Sequence, residues 1–157
     1  KIQRSGSLMY CRIRLKDTNY QEYENFRMLD SSYYKDCLEI YRKYVEYKEF
    51  DDVVPIFKEE FETHHCDVLG YYDQDKLVAF TLAYRFDSLN SVWGDQFAWD
   101  YENPKLTMGH VANKHEFAYY KKLGYDYYYL GESVKYMEKY DGYEVSNFFK
   151  DWKGWQN

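Results

Sequence analysis

The run Val92-Trp93-Gly94-Asp95-Gln96-Phe97-Ala98-Trp99-Asp100, the loop Asn103-Pro104-Lys105, and a helical pattern from Thr107-Met108-Gly109-His110 to Lys121-Lys122-Leu123-Gly124 decide the fold. The aromatic run Tyr125-Asp126-Tyr127-Tyr128-Tyr129-Leu130-Gly131 follows at once. A strand, a polar loop holding a glycine, a helix and a second strand form a unit that can offer free backbone N–H groups to an anion. Met108, Val111, Ala112, His115, Ala118 and Tyr119 recur at three-and-four spacing and predict one buried helix face. Thr107 suits the N-cap, Lys121 and Lys122 suit the negative end of the helix dipole, and Gly124 suits a left-handed stop.

The amides near Met108, Gly109 and His110 have no carbonyl one turn earlier to receive them, so a pyrophosphate can take that place. Gly109 lets such a ligand approach closely. Water satisfies the same amides equally well, and a lone glycine is much weaker than a full glycine-rich fingerprint.

Outward from this unit, Asp67-Val68-Leu69-Gly70-Tyr71-Tyr72, the turn Asp73-Gln74-Asp75 and Leu77-Val78-Ala79-Phe80-Thr81-Leu82-Ala83-Tyr84 read as two further strands. This order resembles the centre of the GNAT acyltransferase superfamily, where a strand leads through a phosphate-binding loop to a long helix and another strand. Lys105-Leu106-Thr107-Met108-Gly109 and Tyr129-Leu130-Gly131, with Lys135-Tyr136-Met137 and Tyr140, are most similar to the C-terminal domain of arginyl-tRNA-protein transferases. The resemblance covers about Cys66 to Phe149. It implies an α/β (α+β) fold with a mixed, mainly antiparallel sheet flanked by helices, in one domain over residues 1–157. Leu106 and Val111 depart from the superfamily's acetyl-CoA signature, which has Gln or Arg at the first position and Gly or Ala at the second.

The resemblance also implies the chemistry: transfer of an acyl or aminoacyl group from acetyl-CoA, another acyl-CoA or an aminoacyl-tRNA to an amine on a small molecule, peptide or protein. The donor falls to Trp99 and to Thr107, Met108, Gly109, His110 and Val111. Such transfer needs a deprotonated amine, an oriented carbonyl and a protonated leaving group. The superfamily's usual positions for a base hold Asp95, Asp100 and Glu102, and those for the acid hold Tyr136 and Tyr140. Tyr140 is the first choice, because residues 136–143 resemble the helix-and-turn segment that carries the acid. In a chain with 21 tyrosines any one of them is also a candidate packing residue. A non-catalytic module that keeps the fold and binds a peptide or protein in an aromatic cleft is the alternative.

A chain of 157 residues can bury a sizeable core in one domain, and 21 Tyr, 10 Phe and 4 Trp make that core aromatic. The formal charge of −6 opposes nonspecific polyanion binding, although Lys105, Lys114, Lys121, Lys122, Lys135 and Lys139 offer a local basic strip that is otherwise an ordinary solvated face. Cys11, Cys37 and Cys66 are odd in number and widely spaced, which favours a reducing compartment. No run approaches the ~20 apolar residues of a membrane helix, so a cytoplasmic protein without a membrane partner is expected. His64-His65-Cys66-Asp67 lacks a second spaced ligand pair, and no metal is expected.

The first half contributes a strand over 8–15, stopped by Asp17-Thr18-Asn19. A helix follows on the face Tyr34, Cys37, Leu38, Tyr41, Tyr44 and Val45, capped by Asp30 or Ser31. Pro55 predicts the first turn of another helix through Ile56, Phe57, Glu60 and Phe61.

Overall fold

The computed structural model describes residues 10–50, 53–102, 108–132 and 135–146. Among these residues seven strands form one sheet: β1 Tyr10–Arg14, β2 Phe26–Met28, β3 Cys66–Asp73, β4 Lys76–Phe86, β5 Ser91–Trp99, β6 Tyr127–Glu132 and β7 Tyr143–Ser146, in the spatial order β2-β3-β4-β5-β6-β1-β7. Every neighbouring pair is antiparallel except β5 and β6, which run parallel. The long helix α2, Met108–Lys122, makes the crossover between those two. The expected α+β fold and mainly antiparallel sheet are therefore present.

Two helices bury the two faces. α1, Tyr34–Lys48, places Cys37, Ile40 and Tyr41 against Val68, Phe80, Leu82 and Ala98. On the other face α2 packs Met108, Ala112, Phe117 and Tyr120 with Ile13, Leu69, Tyr71, Val92 and Tyr128. Burial of one such ring stabilises the fold by about 1.5–3 kcal/mol, so the aromatic content is the core itself. Asp30 accepts from the Ser32 N–H at 2.9 Å ahead of α1, and Gly124, at φ 96°, closes α2. Gly124 is the stop the sequence predicts, whereas Asp30 caps the 3₁₀ turn Ser31–Tyr33 that leads into α1, and Tyr33, the N-cap of α1 itself, makes no side-chain cap bond. The cap expected from Thr107 lies outside the described residues.

Three expectations need correction. The helix predicted from Pro55 is a 3₁₀ turn, Lys58–Glu62: the Glu60 carboxylate accepts from the Phe57 N–H at 2.8 Å, and Thr63 is extended again. The short edge strands β2 and β7 add to the predicted order; before β7, the 3₁₀ helix Lys135–Lys139 and a turn at Asp141-Gly142 match the helix-and-turn that the resemblance implies for 136–143. The face of α2 is also rotated from the predicted one. Glu116, Phe117 and Tyr120 are buried while Val111, Ala118 and Tyr119 are half-buried.

Candidate functional site: a cleft where two parallel strands part

β5 and β6 pair only through Ser91–Tyr127, Val92–Tyr128 and Trp93–Tyr129. Each strand then carries a bulge. On β5 the register with β4 passes from Gly94 to Gln96 and leaves Asp95 as the extra residue; on β6 the register with β1 passes from Tyr129 to Gly131 and leaves Leu130 extra. A bulge bends its strand and increases its twist, so two bulges at the same level drive the strands apart. The cleft between them has a volume of ≈ 560 Å³. Its walls come from β5 (Gly94, Asp95, Gln96, Phe97 and Trp99) and from Leu130 of β6. Thr81, Glu116 and Tyr128 lie at its floor, and Tyr44 and Lys48 of α1 also border it. Because β5 continues to pair with β4 as far as Trp99 while β6 has turned away, its cleft-facing backbone groups are left without a strand partner among the described residues.

The start of α2 forms another side, through Met108, Gly109, His110 and Asn113. Met108, Gly109, His110 and Trp99 therefore gather at one cleft, as the donor reading requires. A Cβ added to Gly109 would meet no atom within 4 Å, so this side of the helix start is open. Val111 packs against the core instead of bordering the cleft, and its bulk does not obstruct the helix start. Thr107 is outside the described residues.

Tyr140 lies behind this surface, 5 % exposed, with its ring against Phe117 and Tyr20. Its hydroxyl oxygen accepts from Asn113 Nδ2 at 3.1 Å and lies 2.7 Å from His110 Nδ1. In the tautomer with the His110 proton on Nε2, the Tyr140 O–H donates to Nδ1 while its oxygen accepts from Asn113. Tyr140 thus reaches the cleft through His110, whereas Tyr136 borders it directly. Burial lifts both phenols above their ordinary pKa, so they remain protonated donors near neutral pH. Asp100 and Glu102 are not brought to the cleft: Asp100 pairs with Lys76 at 3.1 Å and Glu102 with Lys43 at 3.2 Å.

Two acids border the cavity. Asp95, displaced by its bulge, is pushed up to about 6 by burial and then by the nearby Glu60. Glu116, 1 % exposed, was hidden from sequence reasoning because a charged residue at its position reads as helix surface. The available signal was its place four residues after Ala112 and four before Tyr120, on the row that begins at Met108. Its Oε2 accepts from Tyr71 at 2.5 Å and Thr81 at 2.7 Å, and its Oε1 accepts from Tyr128. Burial raises the Glu116 carboxyl pKa, and the three hydroxyls oppose that rise. Gly94 makes room for this arrangement, because a Cβ there would overlap the Tyr128 hydroxyl.

The lysines of α2 are partly committed elsewhere: Lys121 donates to the Thr18 carbonyl at 2.5 Å and Lys122 pairs with Glu22 at 2.7 Å. Cys11, Cys37 and Cys66 are buried thiols, and burial pushes Cys37 and Cys66 up to about 12. Among the described residues no group of three or more His, Cys, Asp or Glu side chains is arranged to hold a metal ion, and no helix is long and apolar enough to cross a membrane.

Solved structures share this architecture. One is the C-terminal domain (DUF2156) of a protein assigned as a lysylphosphatidylglycerol synthetase from Agrobacterium fabrum, with a TM-score of 0.61 and 11% identity over 80% of this chain and 47% of that one. Another is L-PGS from Bacillus licheniformis, with a TM-score of 0.55 and 14% identity over 80% of this chain and 45% of that one. The fold is GNAT-like. The chain spans about half the length of these neighbours, and at such identity the likeness carries the fold alone. No protein-family model matches the sequence, and no curated protein matches it.

Proposed function

We propose that the chain is an aminoacyl transferase domain whose cleft between β5 and β6 receives the aminoacyl end of a charged tRNA and passes the aminoacyl group to an amine. The observation that carries the reading is the parted parallel pair, which opens a cavity at the start of α2 and leaves β5 backbone groups facing it. The name of the first structural neighbour couples a lysyl group to phosphatidylglycerol, which supports an aminoacyl group as the cargo over the acyl group of an acyl-CoA. The cavity border itself carries Asp95 and Glu116 against Lys48, a balance poorly matched to the phosphates of CoA.

In this reaction the acceptor nitrogen bonds to the ester carbonyl carbon and the bond from that carbon to the ribose oxygen breaks. Asp95, near 6, is ionised at neutral pH and takes the proton that the amine loses. The leaving ribose oxygen gains a proton from Tyr140 acting through His110. Cleft-facing amides of β5 hold the carbonyl oxygen as charge develops on it.

The test is binding of one tRNA in its charged and deacylated forms, with acyl-CoAs in parallel. Tighter binding of the charged form, followed by transfer of labelled amino acid to an amine, is expected. Equal binding of the two forms together with micromolar binding of an acyl-CoA would replace the donor. Binding of none of these by the folded chain would favour the alternative, a peptide- or protein-binding module.

A further inference from the structure

A buried carboxylate ordinarily has a cation beside it, because taking the charge out of water costs several kcal/mol unless it is compensated. Glu116 has none among the described residues. Its described hydrogen-bond partners are the hydroxyls of Tyr71, Thr81 and Tyr128. An ionised carboxylate offers about four lone-pair directions, so two donors on Oε2 and one on Oε1 leave one direction on Oε1 open. That oxygen is held by Tyr128, which with Thr81 and Glu116 borders the floor of the cavity.

The surroundings suit a cation. Asp95 adds a second acid on the wall, and Phe97, Trp99 and Tyr128 give the cavity an aromatic lining. Lys48 belongs to α1, on another side of the cavity. For stability alone an aliphatic side chain at 116 would serve as well as an unpaired carboxylate or better. Gly94, moreover, leaves the space in which the Tyr128 hydroxyl reaches the carboxylate.

We infer that the cleft floor is a subsite for a primary ammonium group, with Glu116 as its counter-ion and the Thr81 and Tyr128 hydroxyls fixing the carboxylate's orientation. The inference deepens the aminoacyl-donor reading and rests on it: the cargo is an aminoacyl group bound through its α-ammonium or through a side-chain ammonium.

Four amides of matched length test this on the full wild-type chain by calorimetric titration: lysinamide, norleucinamide with only the α-ammonium, 6-aminohexanamide with only the terminal one, and hexanamide with neither. Lysinamide and at least one singly charged amide are expected to bind about tenfold or more tightly than hexanamide, the scale of a hydrogen bond to a charged group. Whichever singly charged amide retains the preference identifies the ammonium. Glu116→Gln, shown by circular dichroism to be folded, is expected to erase the preference while hexanamide binding stays within about threefold. Equal binding of all four amides to the wild type, or an undiminished preference in folded Glu116→Gln, overturns the ammonium subsite and leaves the cleft as an acyl site. Absence of binding by any of the four overturns the donor reading along with it. Should Glu116→Gln fail to fold, the wild-type series still decides.

Discussion

At Asp95 and His115, burial makes stability respond to acid in opposite senses. His115 is fully buried, accepts from the Tyr23 N–H through Nδ1 at 2.8 Å, and is lowered by burial from 6.5 to about 4. The unfolded chain takes up that proton first, so stability present above pH 6.5 is lost as the pH falls toward 4. Asp95 is raised from 3.8 to about 6, so its folded form takes up a proton first and acidification from 6 to 3.8 restores stability. The windows overlap, and neither slope exceeds about 1.4 kcal/mol per pH unit. Asp95→Asn removes one of the two. At pH 7.5 the variant is expected to be more stable than wild type by about 1–2 kcal/mol after allowance for the partial exposure of Asp95, and within about 0.5 kcal/mol of it at pH 4. Calorimetric melts at the two pH values check this; the same advantage at both would exclude charge burial as its source. Tyr140→Phe keeps the ring packed on Phe117 but removes the hydroxyl that bonds His110 and Asn113. Turnover with an identified donor and acceptor is expected to fall about 10²- to 10⁴-fold while donor affinity changes little. A loss within about threefold would make Tyr140 a packing residue.

At the scale of elements, the start of α2 is the most directly testable part of the cleft. Gly109 lies in the first turn, borders the cavity, and has open space where a Cβ would stand. Gly109→Trp also replaces the weaker helix former, so the fold is expected to survive with its melting temperature unchanged or raised. Donor affinity is expected to fall tenfold or more, measured with charged tRNA; a folded variant that binds as wild type would remove this helix start from the donor site. Met108, Gly109 and His110 were legible because helix starts, caps and stops are written in local residue types, and the parallel pair followed from a strand, a helix and a strand in succession. The bulges at Asp95 and Leu130 were not, since a one-residue register shift depends on the neighbouring strand and leaves no local pattern. β2 and β7, with three and four residues, were too short for alternation to register. Glu116 was missed for a different reason: its burial depends on hydroxyls from β3, β4 and β6, which only the assembled sheet brings to one point.

For the whole molecule, charge constrains how a tRNA can be held. The chain carries −6, and many of its cations already have acidic partners: Arg12 and Arg14 with Glu144, Lys43 with Glu102, Lys76 with Asp100, Arg85 with Asp67, and Lys122 with Glu22. Such pairs at the surface contribute little to stability, about 0–1 kcal/mol, but they reduce the positive charge available to phosphates. Lys48 borders the cleft, and Lys114 is exposed on α2 with its ammonium 5.8 Å from the centre of the Tyr20 ring, so few described cations are on hand to meet a terminal phosphate. Each phosphate neutralised contributes about 0.7–0.9 to the slope of log affinity against log salt concentration. Charged-tRNA binding by this chain is therefore expected to have a shallow slope, no steeper than about −3, with affinity residing mainly in the aminoacyl end. Filter binding from low to physiological salt measures it, and Lys48→Gln should reduce the slope by about one if Lys48 meets a phosphate. A slope near −6 would require a broad phosphate-binding surface, and the aminoacyl cleft would then be a minor source of affinity.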